Sequence, residues 1–319
     1  MIYHIIDHRG FGTIHKLLIP LCQNNEFHKL IAYNDEEKLR KLELDYNSSI
    51  IIHSTASQKS NFLHDFLKYF NNRKVYIFMH VSANYESYKG RKDVLNYLKK
   101  LTQEYDITIL TPSKEVTQQY LDYGIESMTI QLGLDFRNIN TEYNPSLSPY
   151  YNKIVTTCSS DNDIYKFVKG IDMYERFITK NKLEEFSLVA GTNNSKNTKM
   201  LCKRFEEKDF LNVLAHSIMY VQFSRFESYN LTASYSKFLR IPVLLLNSEG
   251  NYSCMNGNVY DNCDSLEKEA LNILKGYKNE NLINSLYNDS ISRESIDNFG
   301  KELEKLERGN KYAFTKKRV

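Results

Sequence analysis

The residues best suited to chemistry in this chain concentrate in Val221–Val243, VQFSRFESYNLTASYSKFLRIPV. A β-type run leads into the loop Ser224–Asn230, and a helix-type segment starts near Leu231 or Thr232. A loop just ahead of a helix offers unpaired backbone N–H groups and the positive end of the helix dipole, both of which favour phosphate or sugar oxygens. Glu227 lies in that loop. Its carboxylate can accept two hydroxyl hydrogen bonds from a sugar, each strengthened by the charge. It can equally be an exposed loop glutamate that helps to cap the helix, and residue chemistry alone leaves both readings open.

The elements that must position this loop follow from the alternation of short β-type runs with longer helix-type segments. Ile2–Ile6 is a strand broken by Gly10 and Gly12, with a helix from about Thr13 to Cys22. Ser49–His53 is the next strand and Ser60–Asn71 has helical spacing. Val75–Met79 is a strand ending at His80, followed by a helix over Lys92–Glu104. Ile107–Leu110, a helix over Lys114–Tyr123, and Met128–Leu132 complete the first half. Pro145, Ser146, Ser148 and Pro149 then read as an interdomain linker. The alternation restarts with strands at Lys153–Thr157, Ser187–Ala190, Met219–Phe223 and Pro242–Leu246. Helices are expected over Gly170–Lys180, Glu207–His216, Thr232–Leu239, Ser265–Lys275 and Ser292–Arg308.

That order predicts an α/β protein with two Rossmann-like, doubly wound, mainly parallel domains. A length of 319 residues suits two cores better than one. The expected division is 1–148 as the N-terminal domain, 149–300 as the C-terminal domain, and 301–319 as a helix end and basic tail. Two such domains in tandem would face each other across a cleft, with ligands at the carboxyl ends of the strands. The pattern does not choose among transferases, epimerases and periplasmic-type binding proteins.

Composition removes several classes. A net charge of +3 with no extended basic stripe argues against a nucleic-acid partner. Cys22, Cys158, Cys202, Cys254 and Cys263 form no C-x-x-C pair, which argues against a zinc site or a disulfide framework and suits a reducing cytosol. His4, His8, His15 and His53 have no metal-type spacing and read as structural or surface residues. The N-terminus lacks a signal-peptide pattern and no apolar run is long enough to span a membrane, so a cytoplasmic location is expected. Lys316-Lys317-Arg318 is a solvated tail or a weak peripheral contact with the anionic inner face of a membrane.

The Val221–Val243 segment resembles the signature of family 4 retaining glycosyltransferases, S-R-x-E-x-F-G-L-x-x-x-E-A-x-x-x-G-x-P-V. Ser224-Arg225-Phe226-Glu227, Leu231 and Pro242-Val243 match, and Tyr229 stands where the family has Phe. Lys169-Gly170, Leu188–Gly191, Glu249-Gly250, Asn256–Val259, Met79-His80, Thr111-Pro112-Ser113 and Gly133-Leu134-Asp135 resemble further family elements in register. The resemblance implies the GT-B fold, with an acceptor-side N-terminal domain and a nucleotide-sugar-binding C-terminal domain. It implies a hexosyltransferase-type enzyme that moves a sugar from a UDP- or GDP-linked donor, with retention, to a hydroxyl of a glycan, lipid-linked or glycoprotein acceptor, as in surface polysaccharide synthesis.

The same resemblance assigns roles. Glu227 would hold sugar hydroxyls, Lys169 would neutralise the leaving diphosphate, and His80 would lie beside the anomeric centre. Ser228, Tyr229, Asn230 and Leu231 would face the donor, and the loop with Gly10 and Gly12 would approach the diphosphate closely. No cofactor or metal is implied, since fixed positive groups would stabilise the leaving phosphate. Three departures stand out. Tyr235 replaces the family's second, ribose-binding Glu; Asp163 replaces an Arg, with Lys166 nearby as a substitute; and Asn230 and Arg240 replace glycines. These keep open a non-catalytic subunit that binds a partner glycosyltransferase, and a sugar-nucleotide epimerase.

Overall fold

The computed structural model describes residues 1–6, 12–32, 48–53, 67, 75–137, 139–193, 200–248 and 258–316. Gly10, His8, Cys254, Glu249-Gly250, Asn256-Gly257, the tail residues Lys317 and Arg318, and all of the Ser60–Asn71 helix but Leu67 lie outside the described residues.

The chain divides into two compact units, Met1–Asp135 with Glu294–Val319, and Phe136–Arg293. The first holds strands β1 (Ile2–Ile6), β2 (His28–Ala32), β3 (Ser49–His53), β4 (Val75–Phe78), β5 (Ile107–Thr111) and β6 (Ser127–Thr129) in the order β2-β1-β3-β4-β5-β6. All neighbouring pairs are parallel. Its helices are α1 (Gly12–Asn24), α2 (Ala83–Tyr88), α3 (Lys92–Glu104) and α4 (Lys114–Asp122). Parallel strands are covered on both faces, which is why β3, β4 and β5 are buried along their whole length. Helix α3 buries Val94, Leu95, Leu98 and Leu101, a stripe at helical spacing. Ser113 caps α4 by accepting from the Val116 amide, so the Thr-Pro-Ser element is a strand end, a break and a helix cap in succession.

The second unit holds β7 (Ile154–Thr157), β8 (Ser187–Ala190), β9 (Leu201–Lys203), β10 (Met219–Gln222), β11 (Val243–Leu246) and β12 (Val259–Tyr260), ordered β12-β11-β10-β7-β8-β9 and again parallel. Helices α5 (Asp163–Val168), α6 (Ile171–Lys180), α7 (Glu207–Ala215), α8 (Leu231–Phe238), α9 (Cys263–Leu274) and α10 (Glu280–Arg293) accompany it. Tyr174, Phe177, Phe223, Val221 and Leu266 are among its fully buried core residues.

The last helix, α11 (Ile296–Lys316), belongs to the first unit. Its start is fastened there by Leu134, whose amide donates to Glu294 O and whose carbonyl accepts from the Ile296 amide. Gly133 is required at that crossing, because a Cβ would stand 2.2 Å from the Ser295 carbonyl oxygen. The residues read as a linker form a 3-10 helix, Pro145–Tyr150, inside the second unit. The chain passes between units at Asp135–Phe136 and returns at Arg293–Glu294. Strands β2, β9 and β12 and helices α2, α5 and α10 had no sequence counterpart: each is short or of low hydrophobic contrast.

Candidate functional site

In the second sheet the strand order reverses between β7 and β10, so the connections leaving their carboxyl ends diverge, which is where open α/β sheets bind their ligands. The chain after β7 enters α5, capped by Asn162, whose side chain accepts from the Ile164 and Tyr165 amides. Lys169 follows α5 directly. The chain after β10 forms the Ser224–Asn230 loop. These two connections meet: Lys169 Nζ donates to Glu227 Oε2 at 2.7 Å, with side chains 18% and 8% exposed. Ser224 Oγ lies 3.5 Å from the same carboxylate oxygen.

Local sequence holds the meeting point in place. Gly170 has φ +68°, and a Cβ on it would stand 1.9 Å from the Phe223 carbonyl oxygen. Only glycine lets the turn after Lys169 approach the end of β10 this closely. Arg225 secures the other side. Its amide donates to Val168 O, its guanidinium forms a fork–fork pair with Asp172 at 2.7 Å on both arms, and it stacks 3.8 Å over the Phe167 ring. The Arg of the Ser-Arg-Phe-Glu run is therefore a brace between the loop and helix α6.

Beneath the pair lies a polar network that sequence reasoning did not single out. Gln222 Nε2 donates to Lys169 O at 2.7 Å. Gln222 Oε1 accepts from the Tyr220 hydroxyl at 2.7 Å and from Thr157 Oγ1 at 3.1 Å. Tyr220 OH also lies 3.3 Å from Asn230 Oδ1. The available signal was a glutamine at the carboxyl end of the otherwise apolar run Met219–Gln222, a position that burial penalises unless every polar atom is met. Burial opposes the charge on Lys169, but Glu227 and the Tyr165 phenol outweigh it and hold the ammonium above the ordinary lysine range. Burial, with Glu227 adding to it, pushes Tyr220 up to about 12, so the network is a fixed ammonium on a neutral phenol.

No family model and no curated protein matches this sequence. Solved structures do match its fold. HepE of Anabaena, in complex with UDP, superposes with a TM-score of 0.71 at 10% identity, covering 96% of this chain and 98% of that one. A glycosyltransferase from Rickettsia africae gives 0.69 at 14% identity, with 97% of each chain covered. The N-terminal domain of the trehalose-6-phosphate phosphatase of Candida albicans gives 0.67 at 13% identity over 97% and 96%. This chain has the GT-B fold.

Within this GT-B chain the remaining predicted site residues take the following places. Asn230 is the N-cap of α8, its Oδ1 accepting from the Ala233 amide at 3.0 Å. Its φ is −92°, so Asn230 keeps a non-helical, negative-φ backbone suited to a capping side chain and takes no left-handed conformation. Tyr229 is buried and its hydroxyl accepts from Ser234 Oγ, while Leu231 opens α8 and Ser228 is half-buried beside Glu227. Tyr235 is half-buried on α8, edge-on to Phe136 with ring centroids 6.0 Å apart. Lys166 lies in the last turn of α5, near Cys158, whose thiol burial pushes up while Lys169 and Lys166 pull the other way. Asp163 is the exposed first residue of α5, where a carboxylate suits the helix dipole. Arg240 is in the left-handed region at φ +58°, as a glycine would be, and stacks 4.2 Å over Tyr287.

In the first unit, Gly12 is the first residue of α1. His80 follows β4 at the carboxyl end of the sheet, its Nε2 3.1 Å from His53 Nδ1 and its ring stacked on Phe78. The Tyr120 hydroxyl donates to the Val81 carbonyl and anchors the next residue. Among the described residues, no group of three or more His, Cys, Asp or Glu side chains is arranged to hold a metal ion, and no helix is long and apolar enough to cross a membrane.

Proposed function

We propose that this chain is a nucleotide-sugar-dependent glycosyltransferase whose second unit receives the donor. The observation that carries the reading is the Lys169–Glu227 pair, set at the switch point of a Rossmann-type sheet and in front of helix α8. A diphosphate needs a fixed cation and amide dipoles, and a sugar needs a charged acceptor for its hydroxyls. Lys169 with the α8 N-terminus supplies the first and Glu227 the second. In transfer the bond from the anomeric carbon to the diphosphate oxygen breaks, a bond to the acceptor hydroxyl oxygen forms, the hydroxyl proton passes to the departing diphosphate, and negative charge grows on the diphosphate as it leaves. A preorganised ammonium stabilises that charge without reorganisation. The proposal extends to retention of configuration, to a reaction without a metal ion, and to a glycan, lipid-linked or glycoprotein acceptor. Gly12, Lys166, Ser228, Tyr229, Asn230, Leu231 and Tyr235 are proposed donor contacts, and His80 a ligand-facing group of the first unit.

HepE, which shares the fold, was solved with UDP and with UDP-glucose, which makes uridine nucleotides the first probes. The deciding experiment is calorimetry with UDP, GDP and their sugar conjugates, followed by product analysis with a panel of acceptor glycans. Saturable binding that Lys169→Ala weakens, with transfer that Glu227→Ala and Lys169→Ala both largely abolish, supports the reading; binding and transfer unaffected by either variant defeat it. A second reading, a non-catalytic GT-B subunit for a partner glycosyltransferase, is favoured by Tyr235 at the ribose position and Asp163 at the Arg position. It predicts no nucleotide-dependent stabilisation, since a ligand stabilises only what it binds.

A further inference from the structure

Gln222 is the last residue of β10 and is fully buried. A buried amide carries a desolvation cost that an apolar side chain avoids, and only the bonds its atoms make offset it. The sheet sets which bonds those are. Tyr220 is two residues before Gln222 and pairs with Val155, two residues before Thr157, so the three side chains fall on one face of neighbouring strands. Two hydroxyls and one main-chain carbonyl surround the amide: Tyr220 OH at 2.7 Å, Thr157 Oγ1 at 3.1 Å and Lys169 O at 2.7 Å. A carbonyl oxygen only accepts, so the atom facing Lys169 is the amide nitrogen, and Oε1 takes the hydroxyls. The amide therefore has one orientation, and it aims an N–H at Lys169.

Lys169 closes the short helix α5, and carbonyls at a helix end have no partner within the helix. The Lys169 amide donates to Tyr165 O and the Gly170 amide to Phe167 O, both inside the helix. The Lys169 carbonyl accepts from Gln222 instead, across to another strand. The chain then bends through the left-handed Gly170 against the end of β10. The root of the lysine is thus held by α5 on one side and by β10 on the other, while its Nζ meets Glu227 on the loop that follows the same strand. A lysine ammonium rides on a flexible four-carbon stem, so where it sits depends on where the root is fixed. The Tyr220 hydroxyl also lies 3.3 Å from Asn230 Oδ1, the cap of α8, which brings the helix start into the same cluster.

We infer that Gln222 is a positioning residue of the donor site: by binding the Lys169 carbonyl to β10 it sets the Lys169 ammonium beside Glu227, where a nucleoside diphosphate would meet it. Gln222 acts through Lys169 and, being fully buried, touches no ligand itself. This rests on the reading of Lys169 as a donor-binding group and adds to it the residue that places the ammonium.

The test is a double-mutant cycle on the full-length protein, with binding of UDP and GDP read by calorimetry. Gln222→Met removes the amide at similar size and is expected to weaken nucleotide binding about 3- to 10-fold, the net contribution of one hydrogen bond. In the Lys169→Ala background the same substitution is expected to change affinity by less than about twofold, because no ammonium is left to place. A loss of equal size in both backgrounds overturns the proposal, since a residue that only supports the fold would act alike in each. Wild-type affinity in Gln222→Met overturns it as well. A second readout needs no ligand. In crystals of Gln222→Met the Lys169 ammonium is expected beyond about 4 Å from the Glu227 carboxylate, outside ion-pair contact; an unchanged separation overturns the positioning whatever the nucleotide does. Should Gln222→Met fail to fold, Gln222→Asn, whose amide is one methylene short of the Lys169 carbonyl, decides by the same two readouts. If the wild type binds neither nucleotide, the donor reading fails, and the ligand-free separation alone decides whether Gln222 places Lys169.

Discussion

Lys169 and Glu227 are 58 positions apart in the chain, yet the ammonium of one lies 2.7 Å from a carboxylate oxygen of the other. Each follows a different strand of the switch point, and the two charges neutralise each other. A bound diphosphate would give Lys169 a second partner. Lys169→Ala is expected to weaken UDP binding by about 10- to 150-fold, the equivalent of about 1.5–3 kcal/mol for a charged hydrogen bond. Calorimetry with UDP checks it, and wild-type affinity in the variant would remove Lys169 from the site.

Tyr235 can offer a ribose one uncharged hydroxyl in place of a carboxylate. Tyr235→Phe should weaken nucleotide affinity by about 0.5–1.5 kcal/mol while leaving thermal stability close to wild type. Unchanged affinity would show that the phenol does not take over from a carboxylate.

Gly170→Ala adds a Cβ into the Phe223 carbonyl at a left-handed φ. Gly90 has a similar φ of +72° and nothing within 4 Å of where its Cβ would be. Gly90→Ala should cost about 1–2 kcal/mol, the penalty of the backbone conformation alone. Gly170→Ala should cost clearly more and displace Lys169. Equal denaturation midpoints for the two variants would refute the close-approach argument.

The cap on α8 gives a separate check of the loop. Asn230→Ala removes the bond to the Ala233 amide and is expected to cost about 0.5–2 kcal/mol. Asn230→Asp retains the acceptor and should be near neutral in chemical denaturation. A loss in Asp as large as in Ala would mean that the cap is not what Asn230 contributes.

Acid should destabilise the first unit through its buried histidines His4 and His53. The folded-state values of His4 and His53 lie below those of the unfolded chain, so below about pH 6.5 the unfolded state binds more protons. The stability they permit is present in full above about pH 6.5 and is lost as pH falls toward their folded values. Two groups acting independently give an upper slope of about 2.7 kcal/mol per pH unit. Urea midpoints at pH 7, 6 and 5 read this directly; a flat profile would contradict burial in the neutral form. Lys169 has the opposite sign: its value is raised, so its contribution is complete below the unfolded lysine value and is lost only in strong alkali.

How much the sequence determined can be judged element by element. Strong periodicity specified β1, β3, α3 and β8 to the residue, because an amphipathic helix or a fully apolar strand declares itself over a short window. The strand–loop–helix order around Ser224–Glu227 was likewise legible from residue types, whereas Lys169 and the glycine after it were singled out by the family resemblance. What the tertiary structure decided are relations between distant segments. The Lys169–Glu227 contact depends on strand order, the return of α11 to the first unit depends on the crossing at Gly133, and the Gln222 network depends on which buried atoms face one another. The contacts of His28 with His4, His4 with His53 and His53 with His80, at 2.9, 2.9 and 3.1 Å, are the plainest case. His4, His28, His53 and His80 carry no spacing signal, because a diagonal across four strands is set by register. Local sequence fixes which face a side chain takes, and only strand pairing fixes which neighbour it meets.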